Sequence, residues 1–226
     1  SGMVLMPGLI NCHTHLPMTI LRGYADDLKL QEWLNDYIFP AEAKLDDRCV
    51  AAGTALGLAE MIASGTTCIA DMYMHTGAVA RTVLESGVSA NLSCGGVYFG
   101  APEDFSPDAC GDCRNQIALT EEWNGAGDGQ IKVDASIHAE YTCKSHIVKA
   151  YSDLCREKGG RMHIHLAETA REQRECIERY GKTPTEWFES LGTFDSPTAA
   201  AHCVAVTERD MDILKAHGVS VIHNPT

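Results

Sequence analysis

The sequence predicts an α/β fold, a TIM-type (β/α)8 barrel present as a fragment with about seven of its eight strands. Two observations lead to this class. Short β-branched or apolar runs recur along the 226 residues, each followed by a segment with helical spacing, and that alternation is typical of a parallel sheet with crossover helices. Histidines collect at the expected carboxyl ends of the strands, the face on which such barrels carry their chemistry.

Seven runs have the apolar or β-branched composition of strands. They are residues 4–10, 66–72, 88–95, 131–137, 161–165, 198–202 and 219–223. A complete barrel needs eight strands and typically about 250 residues. We therefore expect residues 1–226 to form one incomplete barrel unit that lacks its last strand.

Two of the intervening segments carry an apolar face at helical spacing. One face comprises Ile147, Val148, Tyr151, Leu154 and Cys155, and the other Val50, Thr54, Leu58, Met61 and Ile62. Both are expected to pack against the sheet. Near the end of the chain, Thr207 followed three residues later by Asp210 predicts a capping box, and Gly218 predicts a left-handed helix end.

The longest stretch without a predicted helix or strand is residues 100–111, which contain two prolines and two glycines. We expect a βα loop over the active face there. Cys110 and Cys113 form a single Cys-x-x-Cys motif at its end. One such motif is more typical of incidental thiols than of a second metal or redox site.

The charge balance narrows the class of partner. Eighteen Lys and Arg against 31 Asp and Glu give a formal net charge of −13, which disfavours binding to nucleic acid or to an anionic membrane. No apolar stretch approaches the roughly 20 residues of a membrane-spanning helix. Ten cysteines without an export signal predict a reducing, cytoplasmic location with mostly free thiols. The expected partner is a small molecule.

Two pairs of residues predict metal-assisted hydrolysis. His13 and His15 stand two apart after the first predicted strand, so both can face the barrel mouth and hold one metal ion. On the fifth strand His165 is followed three residues later by Glu168, which fits a ligand with a nearby proton carrier. A single histidine at a strand end is more often structural, and we expect that of His163.

Four ordered motifs resemble the metal-dependent amidohydrolase superfamily. They are Pro-Gly-Leu-Ile-Asn-Cys-His-Thr-His at residues 7–15, His-Leu-Ala-Glu at 165–168, Ala-His-Cys-Val at 201–204 and His-Asn-Pro-Thr at 223–226. Residues 21–28, together with 33–34 and 39–42, are similar to the branch that includes deaminases of 5′-methylthioadenosine and S-adenosylhomocysteine and the related chlorohydrolases. The resemblance spans the whole chain and implies a barrel of the metal-dependent hydrolase kind.

That resemblance implies a role for each motif residue in the metal centre. His13, His15 and His165 would be metal ligands. Glu168 would take a proton from the metal-bound water and pass it to the substrate ring. His202 would hydrogen-bond the attacking hydroxide instead of binding the metal. Three imidazoles and one carboxylate suit zinc, with ferrous iron as the competitor.

The resemblance also implies substrate contacts. His138 matches a histidine that contacts the substrate base, and Glu42 matches a carboxylate that holds ribose hydroxyls. Trp33 would flank the base, although an aromatic side chain on a helix is as often part of the core. The implied reaction is attack of metal-bound hydroxide on the amino-bearing carbon of an aminopurine nucleoside, with loss of ammonia.

Several family features have no counterpart in these residues. An aspartate after the eighth strand completes the metal shell, and a small β-sandwich flanks the barrel; neither is expected within residues 1–226. If these residues are all that exists, we expect weak metal binding and no useful turnover. Relatives that bind homocysteine use arginines near the third strand, where this chain has Cys94, and Arg114 is two residues out of register with the other.

Three readings of the function follow. The first is a purine-nucleoside deaminase, which Glu42 and His138 favour because a ribose needs a hydroxyl acceptor. The second is a chlorohydrolase or a guanine- or pterin-type deaminase on the same scaffold. The third is a non-catalytic remnant of the barrel. By analogy with the family, we also expect a homo-oligomer.

Overall fold

The computed structural model describes residues 2–98, 100–101, 105–106 and 110–224. Its strands are all parallel. In chain order they are β1 (Leu9–Thr14), β2 (Thr66–Met72), β3 (Ser89–Ser93), β4 (Ile131–Val133), β5 (Ala135–Ile137), β6 (Met162–Leu166), β7 (Thr198–His202) and β8 (Ser220–Ile222).

Helices alternate with these strands. They are α1 (Leu30–Glu32), α2 (Phe39–Glu42), α3 (Asp47–Ala63), α4 (Thr76–Ser86), α5 (Gly111–Trp123), α6 (Ala126–Gly129), α7 (Ser145–Glu157), α8 (Ala170–Tyr180), α9 (Pro184–Ser190) and α10 (Glu208–Ala216). A 3-10 helix (Leu16–Leu21) follows β1, a π-helical segment (Trp33–Ile38) joins α1 to α2, and a further 3-10 turn (Thr193–Asp195) precedes β7. Within the described residues, no helix is both long enough and apolar enough to cross a bilayer.

The strands pair in two successive sheets, β1-β2-β3-β4 and β5-β6-β7-β8. The predicted strand 131–137 is divided between them, which corrects that boundary. The Asp134 N–H donates to the Leu92 carbonyl beside β3, whereas the Ala135 N–H donates to the Arg161 carbonyl beside β6. Because β4 and β5 are one stretch of chain that changes partner, together they occupy one strand position of the barrel.

The first strand begins later in the sequence than its composition predicts. Residues 66–72 and 198–202 match β2 and β7 as predicted, but β1 begins at Leu9, where pairing with Thr66 of β2 begins. Met3, Val4 and Leu5 precede that register and are at least 87% exposed. Hydrophobic composition alone predicted a strand there, whereas a strand also needs a hydrogen-bonding partner.

The two helical faces pack largely as expected. Tyr151 and the other predicted residues of α7 join the core against β5 and β6, with Leu154 only partly buried. In α3 the face is buried through Val50, Thr54 and Leu58, but Ile62 is 52% exposed, so the end of that face was wrong. The Thr207–Asp210 capping box and the left-handed Gly218 are both present.

A close helix contact holds the segment after β1 in place. At Gly53 of α3, a Cβ atom would lie 2.3 Å from the Pro17 carbonyl oxygen. The Thr19 hydroxyl donates to the Gly53 carbonyl at 2.7 Å. Because only glycine allows this approach, α3 can support the 3-10 helix that begins one residue after His15. The predicted loop 100–111 lies partly outside the described residues, and α5 begins at its last residue.

Candidate active site

Five histidines at the carboxyl ends of the strands meet a sixth, His163, which is the second residue of β6. They come from β1, β5, β6 and β7 or from the residue that follows, and they are His13, His15, His138, His163, His165 and His202. The His13 ring centroid lies 4.8 Å from that of His165 and 5.3 Å from that of His202. His223, which follows β8, is exposed. Parallel strands in register bring these residues to one face of the barrel.

Two of these imidazoles are oriented by backbone carbonyls. His15 Nδ1 lies 2.5 Å from the Met72 carbonyl oxygen, and His165 Nδ1 lies 2.7 Å from the His138 carbonyl oxygen. A carbonyl only accepts, so both Nδ1 atoms carry the proton and both Nε2 atoms present a lone pair. Those Nε2 atoms face each other at 3.2 Å.

A divalent metal fits this arrangement. Two lone pairs at that distance repel unless a cation lies between them, and nitrogen ligands of a tetrahedral zinc ion at about 2.05 Å would be about 3.3 Å apart. Ring nitrogens of His13, His165 and His202 also lie within 4.8 Å of one another. The predicted ligands His13, His15 and His165 are close together, with ring centroids of His13 and His15 4.9 Å apart, but the group within 4.8 Å contains His202 in place of His15.

The cluster is electrically neutral at ordinary pH. Burial, followed by repulsion from His15 and the neighbouring histidines, lowers the pKa of His13 to about 2. Burial lowers the pKa of His138, His163 and His202 to about 4. Because a metal ligand must be unprotonated, this environment prepares the imidazoles for binding.

His163 contacts the site. Its Nε2 lies 3.0 Å from His13 Nδ1, and the residue is 1% exposed. The sequence carries a signal for this contact. His163 and His165 stand two apart on one strand, and residues two apart share a face. His163 touches a candidate ligand while it remains buried in the barrel interior.

Glu168 and His202 form a second group at the edge of the cluster. Their Oε1 and Nε2 atoms are 3.7 Å apart, and burial raises the pKa of Glu168. The Asn224 side-chain amide donates to His202 Nδ1 at 3.1 Å, which leaves the ring proton on Nε2, facing Glu168. At this distance the two side chains do not form a direct hydrogen bond, but both line the cavity and can act on the same bound group.

Glu172 holds the backbone that carries Glu168. Its two carboxylate oxygens accept from the Ala167 and Glu168 N–H groups at 2.9 and 2.8 Å. Ala167 has a φ of +46°, an unfavourable conformation for an L residue. The buried Glu172 carboxylate compensates for it and fixes the direction in which Glu168 leaves the strand.

All eight residues predicted for the site line one cavity of about 740 Å³. They are His13, His15, Trp33, Glu42, His138, His165, Glu168 and His202. Trp33 is half-buried at the start of the π-helical segment, and Glu42 is buried at the end of α2. Cys94 and Asp112 line the same cavity. The structure brings these residues together, and their individual roles stay predictions.

The end of β2 contributes residues that sequence reasoning missed. Asp71 accepts from the Leu16 N–H at 2.6 Å, the Met72 carbonyl orients His15, and the Tyr73 hydroxyl donates to Glu42 Oε1 at 2.6 Å. The available signal was a carboxylate and a tyrosine at the carboxyl end of a predicted strand. These three consecutive residues link the segment that carries His15 to Glu42, and both His15 and Glu42 line the cavity.

Comparison with known proteins finds relatives over the whole length of the chain. A model of the amidohydrolase family matches residues 4–226. The chain is 44% identical over 226 residues to 5-methylthioadenosine/S-adenosylhomocysteine deaminase 2 of Archaeoglobus fulgidus, covering 100% of this chain and 53% of that protein. It is 42% identical to the corresponding deaminase of Pelotomaculum thermopropionicum, covering 100% of this chain and 51% of the relative. The chain thus spans about half the length of these relatives.

Solved structures show the same architecture. An adenosine deaminase from Xanthomonas campestris with bound zinc is 34% identical, with a TM-score of 0.87 over 97% of this chain and 49% of the other. A guanine deaminase from C. acetobutylicum is 21% identical, with a TM-score of 0.85 over 97% and 54%, and supports the fold alone. The predicted barrel class is confirmed by these matches. With the family model matching nearly every residue, the chain belongs to the amidohydrolase family.

Proposed function

We propose that the protein containing this chain is a metal-dependent hydrolytic deaminase of adenosine-like nucleosides, such as 5′-methylthioadenosine, S-adenosylhomocysteine or adenosine. The observation that carries the proposal is the opposed Nε2 pair of His15 and His165, 3.2 Å apart, in the cavity that also holds Glu168 and Glu42. The names of the relatives support the same reaction class.

The proposed ligands are His13, His15 and His165, and the proposed metal is zinc, with ferrous iron as the competitor. When bound, a divalent metal supplies the Lewis acidity that makes water a nucleophile near neutral pH. His202 lies within reach of the same centre, but its Nε2–H faces Glu168. We therefore assign His202 to hydrogen bonding with the reacting group.

The chain's own residues would move the proton and bind the substrate. Glu168, with a pKa raised by burial, is suited to accept a proton from water and return it to the purine ring during loss of ammonia. His138 would contact the base, Glu42 would accept from the ribose hydroxyls, and Trp33 would flank the base. The buried Glu42 carboxylate favours a substrate with hydroxyl groups over a flat, free ring.

Ammonia release from the full-length, metal-loaded protein tests this proposal. The substrates are 5′-methylthioadenosine, S-adenosylhomocysteine, adenosine, guanine and a chlorotriazine, the last also followed by chloride release. We expect turnover of the nucleosides, and a fall of about 10²- to 10⁴-fold in kcat for Glu168→Gln with unchanged metal content. Glu178→Gln, an exposed change on α8, is the matched control.

Other outcomes reject the proposal. Turnover of guanine or the chlorotriazine alone would assign the protein to the second reading, and no turnover of any substrate would favour a non-catalytic barrel. We further propose that residues 1–226 form one barrel unit and that the protein is a homo-oligomer. Its proposed binding partner is a small-molecule substrate. The cytoplasmic location stays a prediction.

A further inference from the structure

Glu42 is a buried carboxylate with an unusual set of neighbours. It is 7% exposed, and within the described part of the chain it forms no ion pair. Burial raises its pKa. Its hydrogen bond among the described residues is the one that Oε1 accepts from the Tyr73 hydroxyl. A carboxylate offers about four acceptor positions, so most of its capacity is directed to whatever fills the cavity.

Tyr73 is held firmly enough to act as a fixed donor. It directly follows β2, its N–H donates to the Ser93 carbonyl at 3.1 Å, and its side chain is 6% exposed. Burial and the adjacent Glu42 raise the pKa of Tyr73, so its hydroxyl keeps the proton. When Glu42 is ionised, the hydroxyl donates this bond and the carboxylate accepts it.

The Tyr73 hydroxyl restrains rotation of the Glu42 carboxylate by binding one of its oxygens. Oε2 is then left as an acceptor for the cavity that both residues line. Two adjacent hydroxyl groups on a sugar ring are donors that suit a carboxylate. Hydrogen bonds to a charged acceptor are stronger than neutral ones and depend on its orientation.

We infer that Tyr73 is a positioning residue that orients Glu42 to accept from the ribose hydroxyls, and that it thereby sets the preference for substrates with a 2′,3′-diol. This inference rests on the proposed deaminase function. Tyr73 itself need not touch the substrate. Its effect passes through Glu42, so removing its hydroxyl should matter only when both Glu42 and the diol are present.

A cycle of variants and substrates tests the inference on the full-length, metal-loaded protein. Adenosine and 2′,3′-dideoxyadenosine are compared in the wild type, Tyr73→Phe, Glu42→Gln and the double variant. We expect Tyr73→Phe to lower kcat/KM for adenosine roughly tenfold, mainly through KM, by analogy with other hydrogen bonds to charged groups. For dideoxyadenosine we expect no change, and in the Glu42→Gln background no further loss.

Controls separate positioning from a general loss of structure. Tyr37→Phe changes an exposed tyrosine of the neighbouring π-helical segment and should leave both substrates unaffected. A structural effect of Tyr73→Phe would lower kcat/KM for both substrates by the same factor, and that result would overturn the inference. Equal kcat/KM values in wild type and variant for adenosine would overturn it as well.

Binding gives a readout that does not need turnover. In the Glu168→Gln background, calorimetry with the same two nucleosides should show the tenfold loss for adenosine alone in Tyr73→Phe. If that coupling is present but the active protein releases no ammonia, the deaminase proposal fails and the role of Tyr73 stands. If ammonia is released without the coupling, only the role of Tyr73 fails. If neither nucleoside binds, both fail.

Discussion

Single side chains at this site are held in protonation states that burial selects. The histidines are neutral because desolvation and their mutual proximity lower their pKa values. Because their pKa values are lower in the folded chain than the ordinary 6.5, these histidines contribute to stability above pH 6.5. That contribution is lost as pH falls toward about 4. Carboxylates such as Asp71 respond in the opposite direction. Burial raises the pKa of Asp71 from 3.8 to about 7.

Asp71 provides a prediction about pH. Because the folded chain binds a proton there more tightly than the unfolded chain does, the free energy of unfolding falls as pH rises from 3.8 toward 7. Asp71→Asn removes that component, up to about 4 kcal/mol for a shift of this size. Urea unfolding across this range should show a smaller decline for the variant than for the wild type.

The comparison of Asp71→Asn with the wild type needs a control variant that removes a carboxylate charge from an exposed position. Asp128→Asn changes an exposed carboxylate in a left-handed turn that asparagine tolerates. Its stability curve should run parallel to that of the wild type. A parallel curve for Asp71→Asn as well would show that Asp71 does not titrate on folding.

At the scale of elements, backbone contacts join the ends of β6 and β7. The Cys203 N–H donates to the Leu166 carbonyl, and the Ala205 N–H donates to the Ala167 carbonyl, both at 2.8 Å. His202 and Cys203 have positive φ values of 76° and 52°. Together with Glu172, these bonds hold the two turns that present His202 and Glu168.

The helices behind these strands meet at one carboxylate, which gives a second prediction. Asp210 is 0% exposed, and it accepts from the Thr183 hydroxyl, the Thr207 N–H and hydroxyl, and the Gln173 amide. Asp210→Ala leaves these donors unpaired and should lower the free energy of unfolding by about 2–3 kcal/mol. Asp212→Ala, on the exposed side of α10, should cost far less; equal losses would contradict the prediction.

At the scale of the molecule, the proposed metal centre joins the two sheets. His13 belongs to β1 of the first sheet, whereas His165 belongs to β6 of the second. Among the described residues, the ring contacts of His13 with His163, His165 and His202 cross from one sheet to the other. A metal ion held there would therefore stabilise the arrangement of both sheets.

Metal removal tests this link. Zinc at about 100 times its dissociation constant should stabilise the folded full-length protein by about 2.7 kcal/mol, so chelation should lower Tm and added zinc should restore it. His165→Asn should abolish the response to zinc. His217→Asn, which changes an exposed histidine that does not line the cavity, should keep it. A zinc response that survives His165→Asn would place the metal elsewhere.

Local sequence determined much of this protein. The alternation of strands and helices, the bounds of β2 and β7, and the Thr207–Asp210 cap depend on residues within one or two turns of each other, which is why composition and spacing predicted them. The His-x-His and His-x-x-Glu motifs marked the chemistry in the same way. Tertiary structure alone decided the start of β1 and the change of partner at Asp134, because a strand extends only as far as it has a neighbouring strand to hydrogen-bond with. It also paired His13 with His163, 150 residues apart, and Glu42 with Tyr73, since such contacts form only when the parallel strands come into register.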